Sequence, residues 1–130
     1  MSDYTHVNID EDLENMSERF GLAPDMEARF GRKAMGIAGG GFSRQRLAPN
    51  FQGPFGHRHE TQEEVYVVTS GSGRIKLEDE VRELKQWDAI RVAPSVPRGF
   101  EAGPDGLELI AIGFGAGGEA ELLQDFWSGN

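Results

Sequence analysis

Cysteine is absent from this chain of 130 residues. Without thiols there can be no disulfide, no thiolate metal ligand and no cysteine nucleophile. A bound metal would therefore have to be held by imidazole and carboxylate groups. The absence of cysteine also fits the reducing cytoplasm, where disulfides are rare.

Positive charge is scarce as well. The chain has 13 Lys and Arg against 22 Asp and Glu, which gives a formal net charge of -9. A protein of this charge is repelled by the phosphate backbone of nucleic acids and by anionic lipid surfaces. No run of basic residues is long enough to offset that repulsion locally. We therefore predict neither a nucleic-acid partner nor a membrane partner.

Long apolar runs are also missing, since no stretch approaches the roughly 20 residues that a membrane-spanning helix needs. The first 16 residues, MSDYTHVNIDEDLENM, are acidic and polar, whereas a signal peptide has a basic end and an apolar centre. These features predict a soluble cytoplasmic protein. A length of 130 residues suits one domain, 1–130.

Glycine is abundant, with 18 Gly and 6 Pro spread between short β-branched and aromatic runs. This pattern is typical of an all-β sandwich or barrel, here with a core at about 26–115. We predict strands at 26–35, 41–48, 54–60, 63–69, 73–77, 81–85, 88–93, 98–102 and 106–114. Turn chemistry predicts breaks at 39–41, 49–50, 70–73, 78–80 and 103–106.

Two short helices are predicted outside this core. The first spans 10–21, where Asp10 could cap an amphipathic helix that Gly21 ends. Its apolar face would carry Leu13, Met16 and Phe20. The second spans 119–126 and would pack Leu122, Leu123 and Phe126 against the barrel or a partner subunit.

Two of the three histidines stand one residue apart, as His57-Arg58-His59. Alternate residues of a strand share one face, so the two imidazoles would lie side by side with Arg58 on the other face. An adjacent strand could then bring Glu63 or Glu64 across to them. Two imidazoles and a carboxylate suit iron, manganese, nickel or zinc. The alternative is a solvated hairpin whose acidic residues pair with Arg58.

The spacing of this stretch resembles the first motif of the cupin family. His57-x-His59, four residues, Glu64, six residues and Gly71 match it, although Phe51 stands where the motif has a glycine. The resemblance implies a double-stranded β-helix, the cupin jelly-roll barrel. It also implies that Glu64, and not Glu63, is the carboxylate ligand.

The second cupin motif is matched in spacing from Trp87 to Ala102 but not in its signature residues. Arg98 occupies the position of the family's third histidine ligand. A guanidinium carries five donors and no acceptor, so Arg98 cannot bind a metal. The resemblance therefore implies an incomplete ligand set and doubtful metal occupancy.

Three interpretations of Arg98 follow. In an enzyme of the dioxygenase or isomerase type, the histidines and Glu64 would bind a metal and Arg98 would hold a substrate carboxylate. In a binding protein without metal, Arg98 would pair with Glu64 or Glu101 beside a small anionic or polar ligand. As a structural residue, it would lie partly exposed at the rim.

Our preferred prediction is a small-molecule-binding cupin with a weak divalent metal site and no assigned catalytic residue. Tyr66, Glu101 and Gln52 are further candidates for ligand contact, together with Arg98. The resemblance also implies a homodimer, for which 26–35 is the candidate pairing strand.

Overall fold

The computed structural model describes residues 3–115 and 120–128. Most of these residues form one curled antiparallel sheet, which confirms the predicted all-β class. Its strands are β1 Met26–Phe30, β2 Gly40–Leu47, β3 Phe55–Arg58, β4 Glu64–Leu77, β5 Glu80–Lys85, β6 Ala89–Val92, β7 Arg98–Phe114 and β8 Glu121–Gln124. The helices are α1 Ile9–Asp12, a 3₁₀ helix at Met16–Phe20 and α2 Arg32–Met35.

The sheet is organised around the two longest strands, β4 and β7, which pair with each other in antiparallel register. On one side β7 continues through β2 to β1 and through β3 to β8. On the other side β4 pairs with both β5 and β6. The main apolar core lies between these parts of the sheet, and Val68, Ile75 and Leu109 are almost completely buried there.

The breaks predicted at 70–73 and 103–106 are wrong, because β4 and β7 each run through them. The strands bend there at irregularities in their register. Gly71 and Gly106 both adopt positive φ, and a Cβ on Gly71 would collide with the Gly106 carbonyl oxygen. Glycine in these positions therefore lets two strands stay paired around a corner. The break at 78–80 is close to the observed two-residue turn between β4 and β5.

The predicted single helix at 10–21 is also wrong, since α1 and the 3₁₀ helix replace it. Asn8, and not Asp10, caps α1. The Asn15 side chain accepts from the backbone N–H of Ser17 and from that of Ala28, which ties the second turn to β1. Asn is therefore used at two helix starts, where its side chain replaces a missing backbone acceptor. Gly21 ends the segment as expected, in the left-handed conformation.

The strand predicted at 26–35 ends at Phe30, and α2 follows it. Gly36 ends α2 in the left-handed conformation. The residues between are good helix formers, so a short turn of helix interrupts the strand pattern. This helix turn places Arg32 and Lys33 at the edge of the barrel.

The helix predicted at 119–126 is wrong over the described part, and residue 119 lies outside it. Glu121–Gln124 forms β8 instead, paired with β3. Strand pairing satisfies backbone groups of β3 that would otherwise be left open. The Phe126 ring then lies against Gly56 and Gly99, where added Cβ atoms would be 2.5 and 2.8 Å from it. Among the described helices, none has the length and apolar character to cross a membrane.

Candidate metal site and ligand cavity

Three side chains converge at one end of the barrel, and we call them the triad: His57, His59 and Glu64. The Nε2 atoms of both imidazoles lie 3.2 Å from Glu64 Oε1. One potential ligand atom from each residue lies within 4.8 Å of the others. The motif therefore brings two imidazoles and one carboxylate together, as expected.

Strand geometry selects Glu64 over its neighbour. Glu64 begins β4 and its side chain is buried, whereas Glu63 pairs with Arg91 at 2.8 Å and is more exposed. His57 lies within β3, and His59 follows it with its backbone N–H bonded to the Pro94 carbonyl. The alternative of a solvated hairpin is wrong, because His59 is buried.

Two further side chains hold the Glu64 carboxylate. The Tyr66 hydroxyl donates to Oε1 and lies 3.4 Å from His57 Nε2. The Gln62 amide donates to Oε2 at 3.3 Å. Tyr66 is only 1% exposed, so it supports the triad from within the barrel wall. Sequence reasoning considered Tyr66 as a ligand contact and did not single out Gln62.

The protonation states of Glu64 and His59 favour metal binding. Burial alone would raise the pKa of Glu64, but hydrogen bonds from His57 and Tyr66 and the imidazole charges lower it to about 2. Burial lowers the pKa of His59 below its ordinary value, although Glu64 opposes this shift. At neutral pH the site therefore offers a carboxylate and a neutral imidazole, which are the forms that bind metals.

The donor set also fits a transition metal. Two imidazole nitrogens and one carboxylate oxygen suit iron, manganese, nickel or zinc. Tyr66 and Gln62 orient Glu64 in the way that outer residues orient the ligands of known metal sites. His59 departs from this pattern, because its Nδ1 atom is buried and has no hydrogen-bond partner among the described residues.

A cavity of about 530 Å³ lies over the triad, and all three of its members line it. Its other walls are largely apolar and include Phe20, Met26, Phe30, Phe42, Phe55 and Leu122. Arg32 and Lys33 line the same cavity. Sequence reasoning missed this pair, because it assigned 26–35 to one strand. The signal was present as two adjacent cations in an acidic chain.

Arg98 lies opposite His57 in the register between β7 and β3, and it is 0% exposed. The rim position considered for it is therefore wrong. Its guanidinium donates to the carbonyl groups of Ala93 at 2.9 Å, Val92 at 3.4 Å and Pro94 at 3.5 Å. Arg98 thus occupies the third-histidine position but binds the loop that precedes β7.

Glu101 and Gln52 pair with each other at 2.9 Å, and Arg74 donates to the same carboxylate. Glu101 lines a separate cavity of about 310 Å³. The structure therefore places these two candidate ligand contacts away from the triad. Their proposed contact with a ligand stays a prediction.

Comparison with known proteins identifies the family. Residues 43–113 match the family model of the cupin domain. A curated relative, an uncharacterized protein of Methanocaldococcus jannaschii, is 38% identical over 45 residues, which is 35% of this chain and 36% of the relative. The match thus spans about a third of that relative's length.

Solved structures share the fold over most of the chain. A cupin protein from Bacteroides fragilis is 26% identical with a TM-score of 0.72, covering 91% of this chain and 89% of that one. KdgF from Halomonas sp. is 17% identical with a TM-score of 0.68, covering 91% and 96%. A salicylate 1,2-dioxygenase from Pseudoaminobacter salicylatoxidans in complex with gentisate is 17% identical with a TM-score of 0.63, covering 76% and 30%.

The family match covers more than half of the chain and includes the triad, Arg98 and the two long strands. The jelly-roll sheet and these structural neighbours agree with it. The protein therefore belongs to the cupin family.

Proposed function

We propose that the protein is a small-molecule-binding cupin that holds a divalent transition metal through the triad. The observation that carries the proposal is the convergence of three suitable ligand atoms, within 4.8 Å of one another, in the wall of a cavity. Three ligands from one side leave coordination positions open toward the cavity. A bound metal would act there as a Lewis acid for a polar group of the ligand.

The residues of this chain supply the rest of the site. Tyr66 and Gln62 fix the Glu64 carboxylate, and the apolar walls exclude water from the ligand's body. Metal binding should be weaker than in a four-ligand site, because Arg98 supplies no fourth ligand and adds a nearby fixed charge. We therefore expect Arg98 and Tyr66 to affect metal binding without being metal ligands.

Metal content tests this proposal. The protein is stripped with a chelator, dialysed against iron, manganese, nickel or zinc, and assayed by plasma mass spectrometry. We expect close to one metal per chain in the wild type and a large loss in His59→Ala. The matched control is His6→Ala, which removes the exposed third histidine. Equal metal content in wild type and His59→Ala would contradict the proposal.

A metal-dependent enzyme of the dioxygenase or isomerase type is the second candidate function. It is favoured by the position of the triad, whose open side faces the ligand cavity. One structural neighbour is a dioxygenase in complex with gentisate. The test is oxygen uptake by the iron-loaded protein with gentisate and related aromatic acids. Uptake that disappears in His57→Ala would support an oxygenase.

We further propose a cytoplasmic homodimer. β1 pairs with β2 along one edge, and within the described residues no strand pairs with its other edge. Phe30 on β1 is 52% exposed. A second copy of the chain could cover both features. Size-exclusion chromatography with light scattering tests this, and a monomer at micromolar concentration would count against it.

A further inference from the structure

Most arginines in the described residues are neutralised by carboxylates. Such ion pairs involve Arg19, Arg29, Arg44, Arg46, Arg58, Arg74, Arg82 and Arg91. Among residues 3–115 and 120–128, neither Arg32 nor Lys33 forms an ion pair, and the other arginine without one, Arg98, is completely buried. Arg32 and Lys33 both line the cavity over the triad. Within the described part of this acidic chain, two cations without an ion-pair partner thus lie at the cavity over the triad.

Arg32 is held in a defined position. Its guanidinium donates to the Gly115 carbonyl at 2.7 Å and to Gln62 Oε1 at 3.3 Å. Its stem lies over Gly41, where an added Cβ would be 2.9 Å from Arg32 Cβ. Both acceptors are neutral, so the charge is oriented without being cancelled. Among the described residues these two bonds leave several N–H groups of the guanidinium for a ligand.

Gln62 connects Arg32 to the triad. It accepts from Arg32 and donates to Glu64 Oε2 at 3.3 Å. The guanidinium is thus separated from a metal ligand by one amide side chain. A small molecule could reach both the cationic position and the open side of the triad at once.

The remaining cavity wall determines what kind of molecule this would be. Phenylalanine, methionine and leucine side chains form most of it. Such a surface favours an apolar or aromatic body, because burial contributes about 25 cal/mol per Å² of apolar area. A strongly hydrated sugar would leave many of its hydroxyl groups without partners here.

We propose that the cavity binds a small carboxylate with an apolar or aromatic body, and that Arg32 recognises the carboxylate while Lys33 adds attraction. Arginine suits this role because its planar fork can make two parallel bonds to a carboxylate. This inference rests on the proposed function only for the ligand's other end, which would face the triad. It assigns anion recognition to Arg32 in place of Arg98.

Binding of 2-naphthoate and 2-naphthamide, measured by calorimetry, tests the inference. The two probes have the same aromatic body and differ in charge. We expect the wild type to bind naphthoate about tenfold or more tightly than the amide. Arg32→Gln should bring the two affinities together, and Lys33→Gln should reduce the ratio by about two- to threefold.

Two further variants are controls for charge and folding. Arg82→Gln removes an exposed cation on β5 that pairs with Glu80, and it should leave the preference unchanged. Arg32→Lys keeps the charge without the fork, so it should keep part of the preference. Circular dichroism establishes that each variant is folded.

Equal affinity of the wild type for both probes, or binding of neither, would overturn the inference. An unchanged preference in folded Arg32→Gln, or an equal loss in Arg82→Gln, would do the same. Repeating the titration with zinc and with a chelator separates the two proposals. A preference that persists while His59→Ala and wild type bind no metal would contradict the metal site and leave Arg32 as the anion contact. Stoichiometric metal binding without a preference for naphthoate would support the metal site and contradict anion recognition by Arg32.

Discussion

Two parts of the barrel wall are neighbours through the register of His57 with Arg98, and they use their polar residues differently. The first, residues 57–66, aims His57, His59 and Glu64 at a common centre and supports them with Tyr66. The second, residues 92–98, aims its one long polar side chain, Arg98, at its own backbone carbonyls. We call them the ligand wall and the bracing wall.

The difference shows that a residue at a metal-ligand position of a fold can have a structural role instead. Arg98 lies beside His57 in register, yet it braces the loop whose Pro94 carbonyl accepts from the His59 backbone. The bracing wall can therefore support the ligand wall without contributing a ligand. Each prediction below alters one of the two walls.

The largest effect is expected on removing the brace. Arg98→Met would remove the three hydrogen bonds that the guanidinium donates to the carbonyl groups of residues 92–94, two of which keep a backbone donor, and we expect it to destabilise the fold by about 3 kcal/mol. Urea denaturation of the metal-free protein measures this. Arg91→Met, which removes an exposed arginine on β6, should cost less than about 1 kcal/mol. Equal losses in the two variants would show that Arg98 is not a brace.

Acid should weaken the ligand wall next most strongly. The pKa of Glu64 lies at about 2 in the fold against an ordinary 4.5, and the pKa of His59 is lowered from 6.5. Both groups are therefore less ready to take up protons in the folded state than in the unfolded state. Stability should begin to fall below pH 6.5 and fall further from pH 4.5 toward pH 2, by roughly 2 to 3 kcal/mol through Glu64.

Urea denaturation of the metal-free protein from pH 7 to pH 3 checks this dependence. Glu64→Gln should flatten the acid part of the profile, since the amide does not titrate there. Glu63→Gln makes the same chemical change at the more exposed neighbour and is the matched control. A profile that is identical in wild type and Glu64→Gln would contradict the assignment.

Converting the brace into a ligand should raise metal affinity. Arg98→His would place an imidazole opposite His57 and remove a fixed positive charge, so the affinity for zinc should rise on the order of tenfold or more. Calorimetric titration measures the gain. His59→Ala in the Arg98→His background should abolish it if all the imidazoles share one metal. An affinity no higher than wild type would mean that the two walls do not share a site.

The smallest effect is expected on removing the hydroxyl group that supports the ligand wall. Tyr66→Phe removes the hydroxyl that donates to Glu64 while keeping the ring against Phe100. Zinc affinity should fall about fivefold, the equivalent of one hydrogen bond. Tyr4→Phe, which alters an exposed tyrosine, is the matched control. A larger loss than in His59→Ala would contradict a supporting role for Tyr66.

The ligand wall was the easier part to predict from the sequence, because spacing and strand alternation act over a few residues. Strand alternation alone leaves Glu63 and Glu64 open, and the resemblance of the spacing from His57 through Glu64 to Gly71 to the first cupin motif implies Glu64. The barrel class followed from the same motif and from the short β-branched runs.

The remaining site depended on contacts distant in sequence. Arg32 meets Gln62 and Gly115 only because α2 interrupts the predicted strand. The motif position of Arg98 did not predict where its side chain points. The carbonyl groups that hold it belong to residues 92–94, whose backbone conformation the sequence does not define. The C-terminal segment matched a helix locally, and pairing with β3 overrode that preference.

The cavity joins parts of the chain that can be altered separately. The triad comes from β3, the residues that follow it and β4, whereas Phe20, Leu22 and Leu122 come from the 3₁₀ helix region and from β8. The terminal segments therefore form part of the cavity wall without contributing a member of the triad. Protein engineers could vary the size and shape of the cavity by redesigning these segments while leaving His57, His59 and Glu64 in place.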